Sequence, residues 1–132
     1  MTKIDTIKKF FQLLQWFNTA ENEFKAILHP GLEQTEFPNI MIPKIRKRTF
    51  TNLLESAEAG KKMLSNQRFD LIHFFESGDT VVAEYNWMGE LKTRVGNLKQ
   101  GQVLKAHICT IFEFRDEKIY RQRSYDCYEP LP

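Results

Sequence analysis

A chain of 132 residues with 42% hydrophobic content is long enough to bury one core and too short for a second of ordinary size. Its 19 basic residues are interleaved with 17 acidic ones, and a formal net charge of +2 excludes a field strong enough to organise nucleic-acid binding. No signal-like apolar stretch opens the sequence and no later window reaches the length of a membrane span, so a soluble, cytoplasmic protein is expected, with Cys109 and Cys127 as thiols and not a disulfide.

The apolar content is strongly aromatic: 11 Phe, 4 Tyr and 2 Trp, rings that supply large buried area and flat walls for a pocket. Ile4, Ile7, Phe11, Leu14 and Phe17 recur at spacings of three and four, the mark of a helix with one buried stripe, which Phe10, Leu13 and Trp16 widen. A second, short helix fits Glu21 to Leu28 and ends at His29-Pro30-Gly31, with His29 as its C-terminal cap. The two make a helical hairpin.

Leu32 to Phe37 partly alternates, and Pro38 and Pro43 limit it to a short edge strand and a loop. The basic run Lys44, Arg46, Lys47, Arg48 falls in that loop and reads as a solvated surface. A third helix is expected from Thr51 to Ser65, capped by Thr51, with Leu53, Leu54, Ala57, Met63 and Leu64 on its buried face.

From Phe69 the period changes from helical to two. Phe69 to Glu76 and Val81 to Trp87 form a hairpin around Ser77-Gly78-Asp79-Thr80, where Gly and Asp tolerate the positive φ of a tight turn. Leu91 to Gln102 reads as a long, mobile connection. Val103 to Phe114 and Lys118 to Asp126 form a second hairpin around Asp116-Glu117. Helices first and antiparallel strands second give an α+β plan: about three N-terminal helices wrapped by a cone-shaped, curved antiparallel sheet, residues 1–132 forming one domain.

Three stretches carry a resemblance. Glu36-Phe37-Pro38-Asn39, then Gly78-Asp79-Thr80-Val81-Val82-Ala83-Glu84, then Phe112 to Ile119 before a closing Tyr125-Asp126 resemble, in order and spacing, the SnoaL-like polyketide cyclase and ketosteroid isomerase branch of the nuclear transport factor 2-like superfamily. Glu117 departs from the family's usual Gly. The resemblance implies a six-stranded curved sheet, a pocket open at one end and a homodimer through the outer sheet face. It also implies a reaction class, since members include isomerases, cyclases, dehydratases and epoxide hydrolases beside domains that only bind, so function has to be read from the pocket.

Compared with the limonene epoxide hydrolase-like site, the Tyr-x-Asn element is similar to Phe37-x-Asn39 and the Arg-x-Asp element to Tyr85-x-Trp87, which keeps neither charge. That argues against epoxide hydrolysis by that mechanism. The family's pocket carboxylate implies Asp126 as general base, its pKa raised by an apolar pocket.

His107 is the second catalytic candidate, from hairpin arithmetic. A plain two-residue turn at Asp116-Glu117 sets His107 opposite Asp126, on a shared face. A bulge that shifts the register by one sets it opposite Tyr125 instead. By the same counting His73 meets Glu84, read as a surface or interface pair. Asn39, Phe37, Tyr85, Trp87, Tyr125 and Trp16 are the candidate substrate-binding residues for a small apolar molecule. The closing strand places Ile119, Arg121, Arg123 and Tyr125 on one face and Tyr120, Gln122, Ser124 and Asp126 on the other; which set faces in is left open.

The histidines and cysteines lack zinc-ligand spacing, and phosphate loops and dinucleotide fingerprints are absent, so no metal or cofactor is expected. The leading expectation is a cofactor-free isomerase or cyclase acting on a carbonyl compound. The alternatives are a non-catalytic small-molecule-binding domain and a protein-interaction domain of the same fold.

Overall fold

A computed structural model describes residues 1–131. Helix α1 (Lys3–Gln15) starts at a capping box in which the Thr2 hydroxyl takes the Asp5 amide and the Asp5 carboxylate takes the Thr2 amide. Helix α2 (Glu21–Lys25) is shorter than expected and leads into strand β1 (Leu28–Glu36). A short strand β2 (Arg46–Arg48) precedes helix α3 (Phe50–Met63). Four long strands follow: β3 (Leu64–Ser77), β4 (Thr80–Leu91), β5 (Val103–Arg115) and β6 (Lys118–Tyr128).

The strands make one curved, unclosed sheet in the order β2-β1-β6-β5-β4-β3, with only the β1–β6 pair parallel. Its inner face packs on α1 and α3 through Ile7, Phe10, Phe11, Leu53, Val81 and Phe112, all buried. The α+β plan with N-terminal helices therefore stands. Among the described residues no helix is long and apolar enough to cross a membrane.

Both expected hairpins form. Ser77 pairs with Thr80, Arg115 with Lys118, and Asp116 and Glu117 both take positive φ, the conformation a two-residue turn needs even without glycine. His73 does face Glu84. The differences lie where the register breaks.

In β6 Tyr120 is an extra residue, because Phe114 pairs with Ile119 while Glu113 pairs with Arg121. Its ring is held between the guanidinium groups of Arg115 and Arg121, 4.1 and 5.2 Å from the ring centre, and meets the His29 ring edge-on. The bulge moves Ile119 to the inner face together with Gln122, Ser124 and Asp126. A second bulge, in β1, spans His29-Pro30-Gly31, read from sequence as a helix stop. Proline has no N–H for the ladder and is tolerated there. His29 is not a helix cap: its Nδ1 accepts from the Gly31 amide and its Nε2 faces Asp116.

Three further expectations are corrected. The α3 cap is Thr49, paired with Asn52, and not Thr51. The basic run is partly strand, since Arg46, Lys47 and Arg48 pair with Glu36, Thr35 and Gln34. The segment 92–102 folds back through a Val95–Leu98 bridge and buries Leu98 against Leu91 and Leu104, so it packs as a small satellite core.

Candidate functional site

Between the inner sheet face and the two longer helices lies a cavity of about 250 Å³. Phe10, Phe11 and Leu14 of α1 and Leu53 and Ala57 of α3 form its apolar wall. Phe17 and Asn18 close the end of α1 by donating their amides to the Leu14 and Leu13 carbonyls, with Phe17 held at φ 55°, and both line the cavity.

The polar side is built by alternation. Gln34 and Glu36 on β1 and Gln122, Ser124 and Asp126 on β6 all point inward, and the parallel register sets Gln34 beside Gln122 and Glu36 beside Ser124. Arg48, last in β2, lies opposite Gln34 and reaches over the mouth. Its Nη1 donates to Glu36 Oε1 at 3.3 Å and its Nε to Ser56 Oγ at 2.9 Å, which ties the sheet edge to α3.

Asp126 is the half-buried carboxylate of this site. Burial pushes its pKa from 3.8 up to about 6, and the nearby Glu36 carboxylate pushes the same way; the hydrogen bond from Ser124 and the charge of Arg48 oppose them. Ser124 Oγ donates to Asp126 Oδ1, Thr110 Oγ1 to Ser124 Oγ at 3.4 Å, and the Tyr85 hydroxyl lies 2.9 Å from Thr110 Oγ1. With Asp126 ionised, each hydroxyl in this chain donates toward it. Burial also holds the Tyr85 phenol well above its usual pKa, so it stays a donor at the cavity wall.

Of the residues singled out from sequence, Asp126 and Tyr85 line the cavity. The others do not. The Tyr120 bulge sets His107 opposite Cys127, and Asp126 opposite Ile108, so the two candidates stand on opposite faces. His107 is exposed outside, with Nδ1 2.7 Å from Asn86 Oδ1 and Nε2 3.1 Å from Glu129. Phe37 and Tyr125 stack on each other at 4.7 Å on the outer face, one step beyond the inward Glu36 and Ser124.

Asn39 is spent on its own turn, accepting from the Met41 and Ile42 amides, and reaches the site only through a 3.4 Å bond to Glu36. Trp87 sits behind the wall: its Nε1 donates to Gln67 Oε1, and Gln67 is the cavity residue. Trp16, 70% exposed, continues the polar row Asp5, Lys9, Gln12 of α1 and not the buried stripe.

Sequence reasoning missed Gln34, Glu36, Arg48, Ser56 and Gln122. The alternation Leu32, Gln34, Glu36 and the shared face of Gln122 and Asp126 were the available signals. Arg48 left none, because its place depends on β2 pairing with β1.

A SnoaL-like domain model matches residues 8–122. Among solved structures, the chain is similar to IdmH of Streptomyces antibioticus, described as a candidate polyketide cyclase, at 12% identity and a TM-score of 0.78, over 96% of this chain and 92% of that one. It is similar to a candidate SnoaL-like polyketide cyclase of Jannaschia sp. CCS1 at 13% identity and a TM-score of 0.75, over 94% and 84%. It is also similar to an LEH-like epoxide hydrolase of M. tuberculosis at 15% identity and a TM-score of 0.69, over 96% and 82%. At these identities the likeness is one of fold. No curated protein matches the chain. With most of its length matched, and a fold shared with ketosteroid isomerase-like and nuclear transport factor 2-like proteins, the chain belongs to the SnoaL-like domain family.

Proposed function

We propose that the cavity takes a small, largely apolar carbonyl compound and that Asp126 acts on it as a cofactor-free general base, in an isomerisation or ring closure. The observation that carries this reading is the position of Asp126: a carboxylate on the inner wall of a mostly apolar cavity, held by a hydrogen-bonded chain and not neutralised by a direct salt bridge. A pKa of about 6 leaves it mostly ionised at neutral pH and still basic enough to take a proton.

In the reaction Asp126 removes a proton from the carbon next to the carbonyl, and the C–H electron pair becomes an enolate. In an isomerisation the same carboxyl returns the proton to a different carbon. In a cyclisation the enolate carbon forms a C–C bond to a second carbonyl, whose oxygen is then protonated. Arg48 lies on the same wall, where its charge favours the anionic intermediate.

The test is exchange of the proton next to the carbonyl of small cyclic ketones in D2O, followed by NMR, and conversion of a β,γ-unsaturated cyclic ketone to its conjugated isomer. Asp126→Asn keeps shape and removes the base, so both rates should fall by about 100-fold or more while ligand binding survives. Equal rates in the two proteins would overturn the assignment. Binding by the wild type without exchange would leave a non-catalytic binding domain.

We propose also that two copies associate through the outer sheet face.

A further inference from the structure

Gln34 and Gln122 are register partners on the parallel β1–β6 pair, both buried, both facing the cavity. They share one hydrogen bond, Gln34 Nε2 to Gln122 Oε1 at 2.8 Å. That leaves Gln34 Oε1 and Gln122 Nε2 without a hydrogen bond from the protein. Among the described residues no fully occluded side-chain N or O lacks a partner, so these two atoms open on the cavity. The pair offers one C=O and one N–H to a ligand whichever way round the two amides are set.

A ligand that fills the cavity shuts these two atoms off from water, and each one it leaves without a partner then costs about 1–3 kcal/mol, so the pair selects for a ligand group that meets both. No charged side chain hydrogen-bonds to either amide, which favours a neutral ligand group that both donates and accepts. Gln122 lies four residues from Asp126 on the same face of the strand, about 13 Å along it. The two therefore address opposite ends of a ligand. A volume of about 250 Å³ is below the ~300–1,000 Å³ of common ligand pockets and suits one or two rings.

We infer that the Gln34–Gln122 pair is a recognition subsite for a lactam or carboxamide group at the end of the ligand remote from Asp126. The substrate class is then a small apolar ketone that also carries an amide. The inference rests on the reading of the cavity as a binding site, but not on Asp126 being a base.

The experiment is an NMR titration of the protein with three probes of one ring size: 2-piperidone, N-methyl-2-piperidone and cyclohexanone. Wild type should bind 2-piperidone up to about tenfold more tightly than cyclohexanone or N-methyl-2-piperidone, whose carbonyls accept but which have no N–H to donate, since one neutral hydrogen bond at ~0.5–1.5 kcal/mol gives at most a factor of that size. The side-chain amide resonances of Gln34 and Gln122 should move with 2-piperidone. The paired variant Q34L/Q122L removes both amides together, a change that can be nearly neutral for stability, whereas Gln122→Leu alone strands Gln34. In the paired variant the preference should collapse to about twofold or less; Q34M/Q122M serves if the leucines do not pack.

A wild type without the preference, or a paired variant that retains it, overturns the subsite. Asp126→Asn should keep the preference, so loss of proton exchange in that variant speaks to the base alone. Lactam preference without turnover keeps the subsite and removes the catalytic reading. Turnover without the preference does the reverse.

Discussion

Burial holds the Asp126 carboxyl near pH 6, so the folded protein keeps its proton through a window in which the unfolded chain, at the usual 3.8, has lost it. In that window the native state binds more protons, and stability falls as pH rises from about 4 to about 6, then levels off. Above it the ionised carboxylate is a standing cost, about 3 kcal/mol at full weight and less for a side chain that keeps some contact with solvent. Asp126→Asn is therefore expected to raise stability at neutral pH by about 1–3 kcal/mol and to flatten the slope between pH 4 and 6, measured by urea unfolding across that range. A variant no more stable than wild type at neutral pH would show that the amide loses as much at Ser124 as the charge costs. In sequence the resemblance singles out Asp126 as the base, while alternation sets it on a face with Tyr120, Gln122 and Ser124 and leaves open whether that face points inward. Gln122, Ser124 and Asp126 point inward together with Ile119 because of the Tyr120 bulge, where Arg115, Arg121 and His29 gather on the bulged ring.

At the scale of the element, period and turn chemistry carried α1, α3 and both hairpins, because those signals are local. What they could not carry is whatever depends on partners distant in the chain: β2, which exists only by pairing with β1, the bulges in β1 and β6, and the packed segment 92–102. Strand β4 supplies the clearest single test of such a dependence. Trp87 lies over Gly89, and a Cβ at Gly89 would meet the Trp87 ring at 2.5 and 2.7 Å. The indole cannot move freely, since its Nε1 holds Gln67, whose Nε2 in turn holds the Leu14 carbonyl at the end of α1. Gly89→Ala should cost about 1–3 kcal/mol, the usual penalty for forcing atoms into a filled site. Gly60 in α3 has nothing within 4 Å of such a Cβ, and Gly60→Ala should gain about 0.5–1 kcal/mol from helix propensity. Denaturant midpoints moving in opposite directions for the two variants would confirm the contrast; a neutral Gly89→Ala would mean that Trp87 is not locked.

For the whole molecule, the outer face of the sheet is the surface still without a partner. Register places two rows across it: Phe75, Val82, Ile111 and Arg123, then His73, Glu84, Cys109 and Tyr125, with Phe37 stacked on the last. On β3 Phe75 is 63% and Ile72 48% exposed, and on β6, three strands away, Tyr125 is 44% exposed. Exposed rings and the Val82–Ile111 pair, set among Glu84, Arg123 and the Arg123–Glu113 ion pair, suit an isologous interface, in which a two-fold axis lets the same rings cover one another. Light scattering at micromolar concentration should return the mass of two chains, 15.7 kDa each. Ile111→Glu places a charge at the centre of the patch, where the Arg123 opposite is already paired with Glu113, without touching the inner face, and should give monomers with unchanged ligand binding in the cavity. A monomer mass for the wild type would leave the patch to some other partner, and a dimer that survives Ile111→Glu would move the interface off this face.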